Sequence, residues 1–277
     1  MAQQRPKLGL IAGGGDIPAI ARDRCRAEQR PLYIAALNGF CDPAAVEATE
    51  HGWFDLPQVG RLIGALKAAG VTEVCLCGRV AKPNFSALKP DLKGALLLPK
   101  IIKAAATGDD AILRVVVDAF ERDGFRVIGI EQVVGDLLAA EKRYGSLAPT
   151  PAQQADIRVG VAAARDLGRA DRGQAVIVAA GTVVDREDDA GTDVLLARVA
   201  ERTDARGGIL VKTAKPQQDR RVDLPTVGMT TIEYAVAAGL AGIAVEAGAA
   251  LIVDAEAMAA AADHQGMFLI GFRHDEK

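Results

Sequence analysis

The chain has few aromatic residues, three histidines and four cysteines among its 277 residues. An aromatic content of 4% disfavours an aromatic-rich β-sandwich, whereas abundant alanine and glycine suit the close helix–sheet packing of an α/β protein. The cysteines form no C-x-x-C pair, and no histidine accompanies them at the spacing of a zinc site. We therefore expect reduced thiols in the core, at Cys25, Cys41, Cys75 and Cys77.

The chain also lacks an excess of positive charge and a long uninterrupted apolar run. Its net charge of −3 disfavours a broad basic surface for nucleic acid. The first residues contain no apolar stretch typical of a secretory signal, so we expect none. The longest apolar tract, 234–253, is interrupted by glycines and contains Glu246, which predicts helix and strands rather than a membrane span.

What the sequence does contain is an alternation of strands and helices. In the first half, short apolar runs predict strands at 8–12, 32–37, 74–77 and 125–130. Helical periodicity predicts helices at 17–28, 62–69 and 109–122. This alternation predicts a parallel, Rossmann-like sheet in a first domain of residues 1–140.

The second half predicts another α/β domain, residues 152–277, after a linker at 141–151 that is rich in turn-forming residues. Its strands are expected at 175–179, 181–185, 209–211, 242–245, 250–253 and 267–270. Its helices are expected at 152–167, 193–202, 230–238 and 255–262. Two domains are the default at this length, because a single core rarely grows so large.

A glycine-rich loop follows the first predicted strand and opens a helix. Its residues Gly13, Gly14, Gly15 and Asp16 could bring backbone N–H groups to an anion at the helix N-terminus. Because Pro18 replaces the third glycine of the dinucleotide fingerprint, NAD is disfavoured relative to a nucleotide or nucleotide-sugar diphosphate. The alternative is a tight turn in which Asp16 caps the helix.

Other polar residues follow later strands of the same predicted sheet. Gly78, Arg79 and Lys82 come after the third strand, and Glu131 follows the fourth. Because the carboxyl ends of parallel strands face the ligand crevice, we expect these residues along one edge of it, with Arg79 able to pair with phosphate. Each alone could also be an ordinary loop charge.

The strongest predicted helix opens with Thr107, Gly108, Asp109 and Asp110. Capping of the helix by Thr or Asp is the favoured interpretation of these residues. The functional alternative is a contact with Mg²⁺ or with ribose hydroxyls.

Residues 88–104 combine an apolar centre with flanking lysines, at Lys89, Lys93, Lys100 and Lys103. Such a segment could rest on an anionic membrane surface or admit an acyl chain. A core segment with solvated lysines is the slightly favoured alternative.

The segment 217–228 places carboxylates, guanidiniums and amides within a few residues and then reaches a proline. Neither an amphipathic helix nor a half-buried strand has this pattern. A loop of this composition could coordinate a metal and bind phosphate, and an ion-pair network is an equally acceptable interpretation. The candidate residues in and just before it are Lys212, Gln218, Asp219, Arg220, Arg221, Asp223 and Thr226.

Three segments resemble one family. They read Leu-Ile-Ala-Gly-Gly-Gly-Asp-Ile-Pro at 10–18, Gly-Asp-Asp at 108–110 and Gln-Asp-Arg-Arg-Val-Asp-Leu-Pro-Thr-Val-Gly at 218–228. Together they resemble the LpxI family, and the likeness extends in order over essentially the whole chain. The resemblance implies a Mg²⁺-dependent pyrophosphatase of lipid A biosynthesis that hydrolyses UDP-2,3-diacylglucosamine to 2,3-diacylglucosamine 1-phosphate (lipid X) and UMP. It also implies a Rossmann-like N-terminal domain and a second α/β domain of less common fold, with the ligand cleft between them.

The resemblance implies that Asp223 is the important aspartate of the late segment. A pyrophosphate bond requires an activated water and neutralised phosphate oxygens. The candidate Mg²⁺ ligands are Asp223, Asp219 and Glu246. The cations expected at the diphosphate are Arg220, Arg221, Lys212 and Arg79. The glycine loop and the Gly108–Asp110 turn are expected to hold the UDP-glucosamine portion.

A diacylated substrate implies a cytoplasmic enzyme that meets the inner membrane surface peripherally, and a homodimer is compatible with the sequence. Two other classes of function stay open. One is a nucleotide-sugar-dependent transferase or oxidoreductase that uses the glycine loop. The other is a non-catalytic regulator that binds a UDP-sugar or lipid.

Overall fold

The computed structural model describes residues 5–81 and 88–273, so the predicted crevice residue Lys82 lies outside the described residues. The chain divides into two compact units. The first comprises Met1–Gly135 together with Asp219–Asp223, and the second comprises Asp136–Gln218 with Leu224–Lys277. The segment 217–228 is called the late loop below. Its residues Asp219–Asp223 belong to the first unit, although the residues on both sides of them belong to the second.

The described part of the first unit forms a five-stranded sheet in the order β3-β2-β1-β4-β5, and every neighbouring pair is parallel. This is the strand order of a Rossmann-like half, so the predicted fold is confirmed. Its strands are β1 (Leu8–Ala12), β2 (Leu32–Leu37), β3 (His51–Phe54), β4 (Glu73–Cys77) and β5 (Arg126–Val127). Its described helices are α1 (Ile17–Ala27), α2 (Val59–Ala68), α3 (Leu92–Ala105) and α4 (Asp109–Arg122).

Two elements of this unit were not predicted. Strand β3 has four residues, of which only Phe54 is buried, so it carries little apolar pattern. Helix α3 contains Pro99, a residue that usually argues against a helix interior. The strand predicted at 125–130 is shorter than expected, because the chain turns into a 3-10 helix at Ile130–Gln132.

The core of the first unit lies along its central strands. All five residues of β1 are buried, and this strand pairs with β2 on one side and β4 on the other. Leu10, Ile34 and Leu66 are fully buried, and each contributes about 1.5–3 kcal/mol by leaving water. Val222 of the late loop also packs against this core.

The second unit has a mixed sheet in the order β6-β13-β11-β9-β7-β8, which confirms a second α/β architecture. Strands β9, β11 and β13 are parallel, whereas β6, β7 and β8 run antiparallel to their neighbours. The strands of this sheet are β6 (Lys142–Arg143), β7 (Ala175–Ala179), β8 (Thr182–Arg186), β9 (Ile209–Lys212), β11 (Gly242–Glu246) and β13 (Phe268–Phe272). A separate parallel pair joins β10 (Thr226–Val227) and β12 (Leu251–Ile252). The helices described here are α5 (Pro151–Arg169), α6 (Thr192–Ala200), α7 (Met229–Ala237) and α8 (Ala255–His264).

Most elements of the second unit lie within one or two residues of the expected positions. Helix α5 begins with a capping box, in which Thr150 and Gln153 bond to each other's backbone N–H groups. Within the segment 141–151, Lys142 and Arg143 form β6, which pairs with β13. This short edge strand has no apolar side chain, which explains why no pattern indicated it.

The cysteines are buried and their thiols are free, as expected for core residues. Burial raises the pKa of each of the four thiols. Within the described ranges, no helix combines the length and the apolar character needed to cross a membrane.

Candidate functional site

The glycine loop and the turn after β4 meet at the carboxyl edge of the first sheet. Strands β1 and β4 are neighbours. After β1 the chain continues to β2 on one side of the pair, and after β4 it continues to β5 on the other side. The point between two such strands is the usual place for a ligand crevice. The two loops pair through their backbones: Gly14 N donates to Arg79 O at 2.9 Å, and Arg79 N donates to Gly14 O at 2.8 Å.

This pairing explains two of the glycines. A Cβ on Gly13 would lie 2.6 Å from Arg79 O, and a Cβ on Gly78 would lie 2.7 Å from Gly14 O. Gly78 also has a φ of +85°, which L side chains rarely adopt. The N–H groups of Gly13 and Gly14 already donate to Cys77 O and Arg79 O. Within this loop, anion binding must therefore depend on the N–H groups of Gly15 and Asp16.

Gly15 and Asp16 are exposed at the start of α1. Asp16 is the N-cap residue, but its side chain makes no capping hydrogen bond. The alternative is therefore correct in placing Asp16 at the helix cap and wrong only in that the side chain makes no capping bond. The helix N-terminus retains backbone N–H groups that can face an anion.

Helix α4 also begins without a side-chain cap. Its N-cap residue is Gly108, with a φ of +148°, so capping by Thr or Asp, the favoured interpretation, is wrong. Thr107 N instead donates to Ala104 O at 2.8 Å and closes the end of α3. Asp110 is buried in the first turn of α4, where the positive end of the helix dipole stabilises a carboxylate.

Glu131 lies in the 3-10 turn after β5 and has one buried carboxylate oxygen. Among the described residues, this Oε2 atom has no hydrogen-bond partner. A buried carboxylate oxygen without a donor is costly, so an N–H or O–H group of a ligand would stabilise it. The charge of Glu131 also adds to burial in raising the pKa of Cys75 on β4.

The start of the late loop follows β9 and is held against the C-terminal end of α5 and the residues just after it. Lys215 Nζ pairs with Asp171 at 2.6 Å, and Gln217 Nε2 donates to Gly168 O at 2.6 Å. Gln218 is buried and accepts from Lys215 N at 3.2 Å. Gln218 therefore helps to shape the loop rather than pointing into solvent.

The turn at 219–223 is held by an arginine–aspartate pair. Asp219 accepts from the backbone N of Arg221 at 3.0 Å and from its Nη2 at 2.7 Å. Arg221 also donates to Glu121 on α4 at 2.7 Å. The hydrogen bonds from Arg221 hold the pKa of Asp219 below its usual range, and the same bonds raise the pKa of Arg221. Outside this pair, the charged residues of the turn are Arg220, which is exposed, and Asp223, which is half-buried.

Lys212, at the end of β9, is buried and bonded within the protein. Its Nζ donates to Thr192 Oγ1 at 2.9 Å and to Thr226 O at 3.1 Å. Thr192 donates in turn to Glu187 at 2.5 Å. The side chain of Thr226 donates to Leu224 O at 3.2 Å. Lys212 therefore ties the end of β9 to Thr226 in the late loop.

Comparison with known proteins matches both halves of the chain. Residues 7–137 match the LpxI N-terminal domain, and residues 140–270 match the LpxI C-terminal domain. The chain belongs to the LpxI family. A curated relative from Caulobacter vibrioides, named UDP-2,3-diacylglucosamine pyrophosphatase LpxI, is 43% identical over 278 residues, which cover 98% of this chain and 99% of the relative.

The carboxylates expected to bind a metal in this LpxI-family chain have other partners. Glu246 accepts from Ala214 N at 2.9 Å and pairs with Arg165 at 3.5 Å, while Asp219 is bonded to Arg221. Over residues 5–81 and 88–273, no group of three His, Cys, Asp or Glu side chains could hold a metal ion.

Several structurally important residues of this chain could not be recognised from the sequence. Glu121 ends a charged helix face, and Glu187 falls in an acidic run that indicates a solvated loop. Asp171 lies just after α5 and Thr192 begins α6, and neither belongs to a recognisable sequence motif. Only the contacts that the folded chain makes identify them.

Proposed function

We propose that this chain hydrolyses the pyrophosphate bond of UDP-2,3-diacylglucosamine and releases lipid X and UMP, as a step of lipid A biosynthesis. Its membership of the LpxI family, and its nearly full-length similarity to a relative named for this activity, support the proposal. The structural observation that carries it is the turn at 219–223. Its pair of Asp219 and Arg221 fixes the backbone from which Asp223 and Arg220 extend.

The nucleotide portion is proposed to bind at the carboxyl edge of the first sheet. The α1 N-terminus at Gly15 and Asp16, with Arg79 beside it, suits the negative charge of a diphosphate. The buried oxygen of Glu131 suits a ribose hydroxyl or a uracil N–H. The turn at 219–223 is part of the same unit. Thr107 and the Gly108–Asp110 turn are further candidates on that unit.

Asp223 is proposed to orient the attacking water and accept its proton, with Arg220 neutralising phosphate charge. Positioning and electrostatic stabilisation supply most of the catalysis in phosphoryl chemistry. Five residues are proposed to position the loop through the hydrogen bonds that they make within it and to its neighbours: Asp219, Arg221, Lys212, Gln218 and Thr226.

Mg²⁺ is proposed as the cofactor, with Asp223 as its protein ligand. Mg²⁺ is commonly bound by one or two carboxylates together with substrate phosphates, which fits a chain whose Asp219 and Glu246 have other partners. When bound, it would neutralise charge on the diphosphate oxygens. Because the substrate is diacylated, we also propose that the enzyme associates peripherally with the inner membrane from the cytoplasmic side.

Hydrolysis in ¹⁸O-labelled water tests this function. Incubation with UDP-2,3-diacylglucosamine and Mg²⁺ should give equal amounts of UMP and lipid X, with one ¹⁸O atom in a product phosphate. Loss of turnover in EDTA and its recovery with Mg²⁺ are expected, and full activity in EDTA would contradict the cofactor. Turnover without label would indicate a transferase, and tight binding without UMP release would indicate a regulator; either result would overturn the proposal.

A further inference from the structure

Helix α3 presents an apolar face to solvent. Leu92 is 83% exposed, Leu96 is 72% exposed and Ile102 is 48% exposed. Leu92 and Leu96 are the two most exposed large hydrophobic side chains in the described part of the chain. Exposed apolar side chains that cluster on one element mark an interaction surface more often than scattered ones do.

The exposure does not reflect a loosely attached helix. Asp91 caps α3 by accepting from Gly94 N at 2.8 Å, and it also accepts from Arg61 N at 2.9 Å. On the inner face, Gly94 and Ala104 are buried, and Lys93 pairs with Asp123. Helix α3 is therefore fixed at its start and along its inner face, and the apolar outer face is a stable feature of the fold.

The charge around this face has one sign. Helix α3 contains three lysines and no acidic residue. Lys100 and Lys103 are exposed near its C-terminal end, and Lys89 is exposed just before its start. At 3.6 residues per turn, Leu92, Leu96, Pro99 and Lys103 fall along one stripe, with Lys100 beside it. None of these three exposed lysines forms an ion pair with a described residue.

We propose that the outer face of α3 docks on an anionic lipid bilayer. Leu92 and Leu96 enter the boundary between headgroups and acyl chains, and Lys100 and Lys103 lie among the lipid phosphates. A second copy of the chain fits the face less well, because symmetric pairing would bring the lysines of both copies together. The inference rests on the proposed function in one respect: a diacylated substrate lies in the bilayer that α3 would contact.

Flotation of the whole protein with vesicles, without substrate, tests the docking face. Wild type should float with vesicles of phosphatidylglycerol and phosphatidylcholine and much less with phosphatidylcholine alone. Leu92→Ser/Leu96→Ser and Lys100→Glu/Lys103→Glu should each bind the anionic vesicles about tenfold more weakly or worse. Raising the salt concentration should weaken wild-type binding, because salt screens the lysines.

Matched controls come from the second unit. Val159→Ser/Val194→Ser removes two other exposed apolar side chains, and Arg143→Glu/Arg158→Glu makes the same change in net charge. Both controls should bind like wild type, and all variants should unfold at the wild-type temperature, since the changes are on the surface.

Absence of wild-type flotation with anionic vesicles would overturn the inference. So would equal binding by wild type and both α3 variants, or loss of an oligomer in those variants without any loss of lipid binding. The readout does not require turnover. A chain that binds vesicles through α3 but releases no UMP would leave the docking face standing and contradict only the proposed reaction.

Discussion

The two units place charge differently at the ends of their parallel strands. In the first unit, the loops after β1 and β4 are joined by backbone hydrogen bonds between Gly14 and Arg79, and the side chains of Asp16 and Arg79 are exposed. In the second unit, β9 ends at Lys212, which is only 6% exposed and is bonded to Thr192 and to the backbone of Thr226.

The difference indicates that charged residues have two roles in this protein, to hold the chain in place and to bind a ligand. A buried charge whose hydrogen bonds are satisfied holds the chain in place and has little capacity left for a ligand. Charged groups at an exposed strand edge, next to a helix N-terminus, are available to an anion. In the late loop, Asp219 and Arg221 bond to each other and hold the turn from which Asp223 and Arg220 extend.

The largest stability effect is expected at the buried end of β9. Lys212→Met removes two charged hydrogen bonds, to Thr192 and to the Thr226 carbonyl. Each such bond contributes about 1.5–3 kcal/mol, so the change should lower the free energy of unfolding by about 3–5 kcal/mol. Urea denaturation measures the change. Lys142→Met is the control on an exposed strand and should change stability by about 0.5 kcal/mol or less. A Lys212 variant as stable as wild type would remove the basis for a positioning role.

A smaller effect is expected at the backbone pairing of the first unit. Gly13→Ala forces a Cβ against the carbonyl oxygen of Arg79 and should cost about 1–3 kcal/mol. Gly64→Ala is the matched control, because a Cβ at this position in α2 has no atom within 4 Å. That substitution should instead stabilise the protein by about 0.5–1 kcal/mol. Equal thermal shifts for the two variants would show that the loops are not closely paired.

The smallest effect is expected at Glu121, the second acid bonded to Arg221. Both side chains are about two-fifths exposed, so Glu121→Gln should cost about 0.2–1 kcal/mol, and less at high salt. Asp219→Asn should cost more, because Asp219 accepts several hydrogen bonds from Arg221. Thermal melts at low and high salt measure which of the two variants loses more stability. A larger loss in Glu121→Gln than in Asp219→Asn would contradict the assignment of Asp219 as the main partner of Arg221.

The Asp219–Arg221 pair predicts how the stability of the protein depends on pH. The pKa of Asp219 is lowered in the folded protein, so its bonds contribute fully above the ordinary aspartate value of about 3.9 and are lost as the pH falls through the folded value. The stability difference between wild type and Asp219→Asn should therefore be constant from about pH 5 to 8 and shrink only in stronger acid. A difference that already changes near neutral pH would point to another titrating group.

Much of the fold follows from apolar pattern. The runs of β1 and β7 are fully buried, and both strands lie where the sequence predicts them. Strand β3 and helix α3 were not predicted, because His51–Phe54 buries little and α3 exposes the apolar residues that a core helix would hide. Short edge strands and docking faces depend on neighbours that are distant in the sequence.

The sequence predicts which residues are candidates for the site, but it predicts the role of each residue less well. The expected Mg²⁺ ligands were Asp223 with Asp219 or Glu246, because carboxylate oxygens suit Mg²⁺. It could not show that Asp219 accepts from Arg221, that Glu246 accepts from Ala214, or that Lys212 is buried. Those facts arise from tertiary contacts. The positioning role of Asp219 and Lys212 is therefore identified by their contacts rather than by their residue type.

The most direct test compares the two aspartates of the late loop. UMP release from UDP-2,3-diacylglucosamine is measured in single turnover for wild type, Asp223→Asn and Asp219→Asn, after each variant is shown to be folded. The account predicts a loss of about a thousandfold for Asp223→Asn and about tenfold for Asp219→Asn. A loss at Asp219 equal to or greater than that at Asp223 would contradict the separation of catalytic and positioning roles.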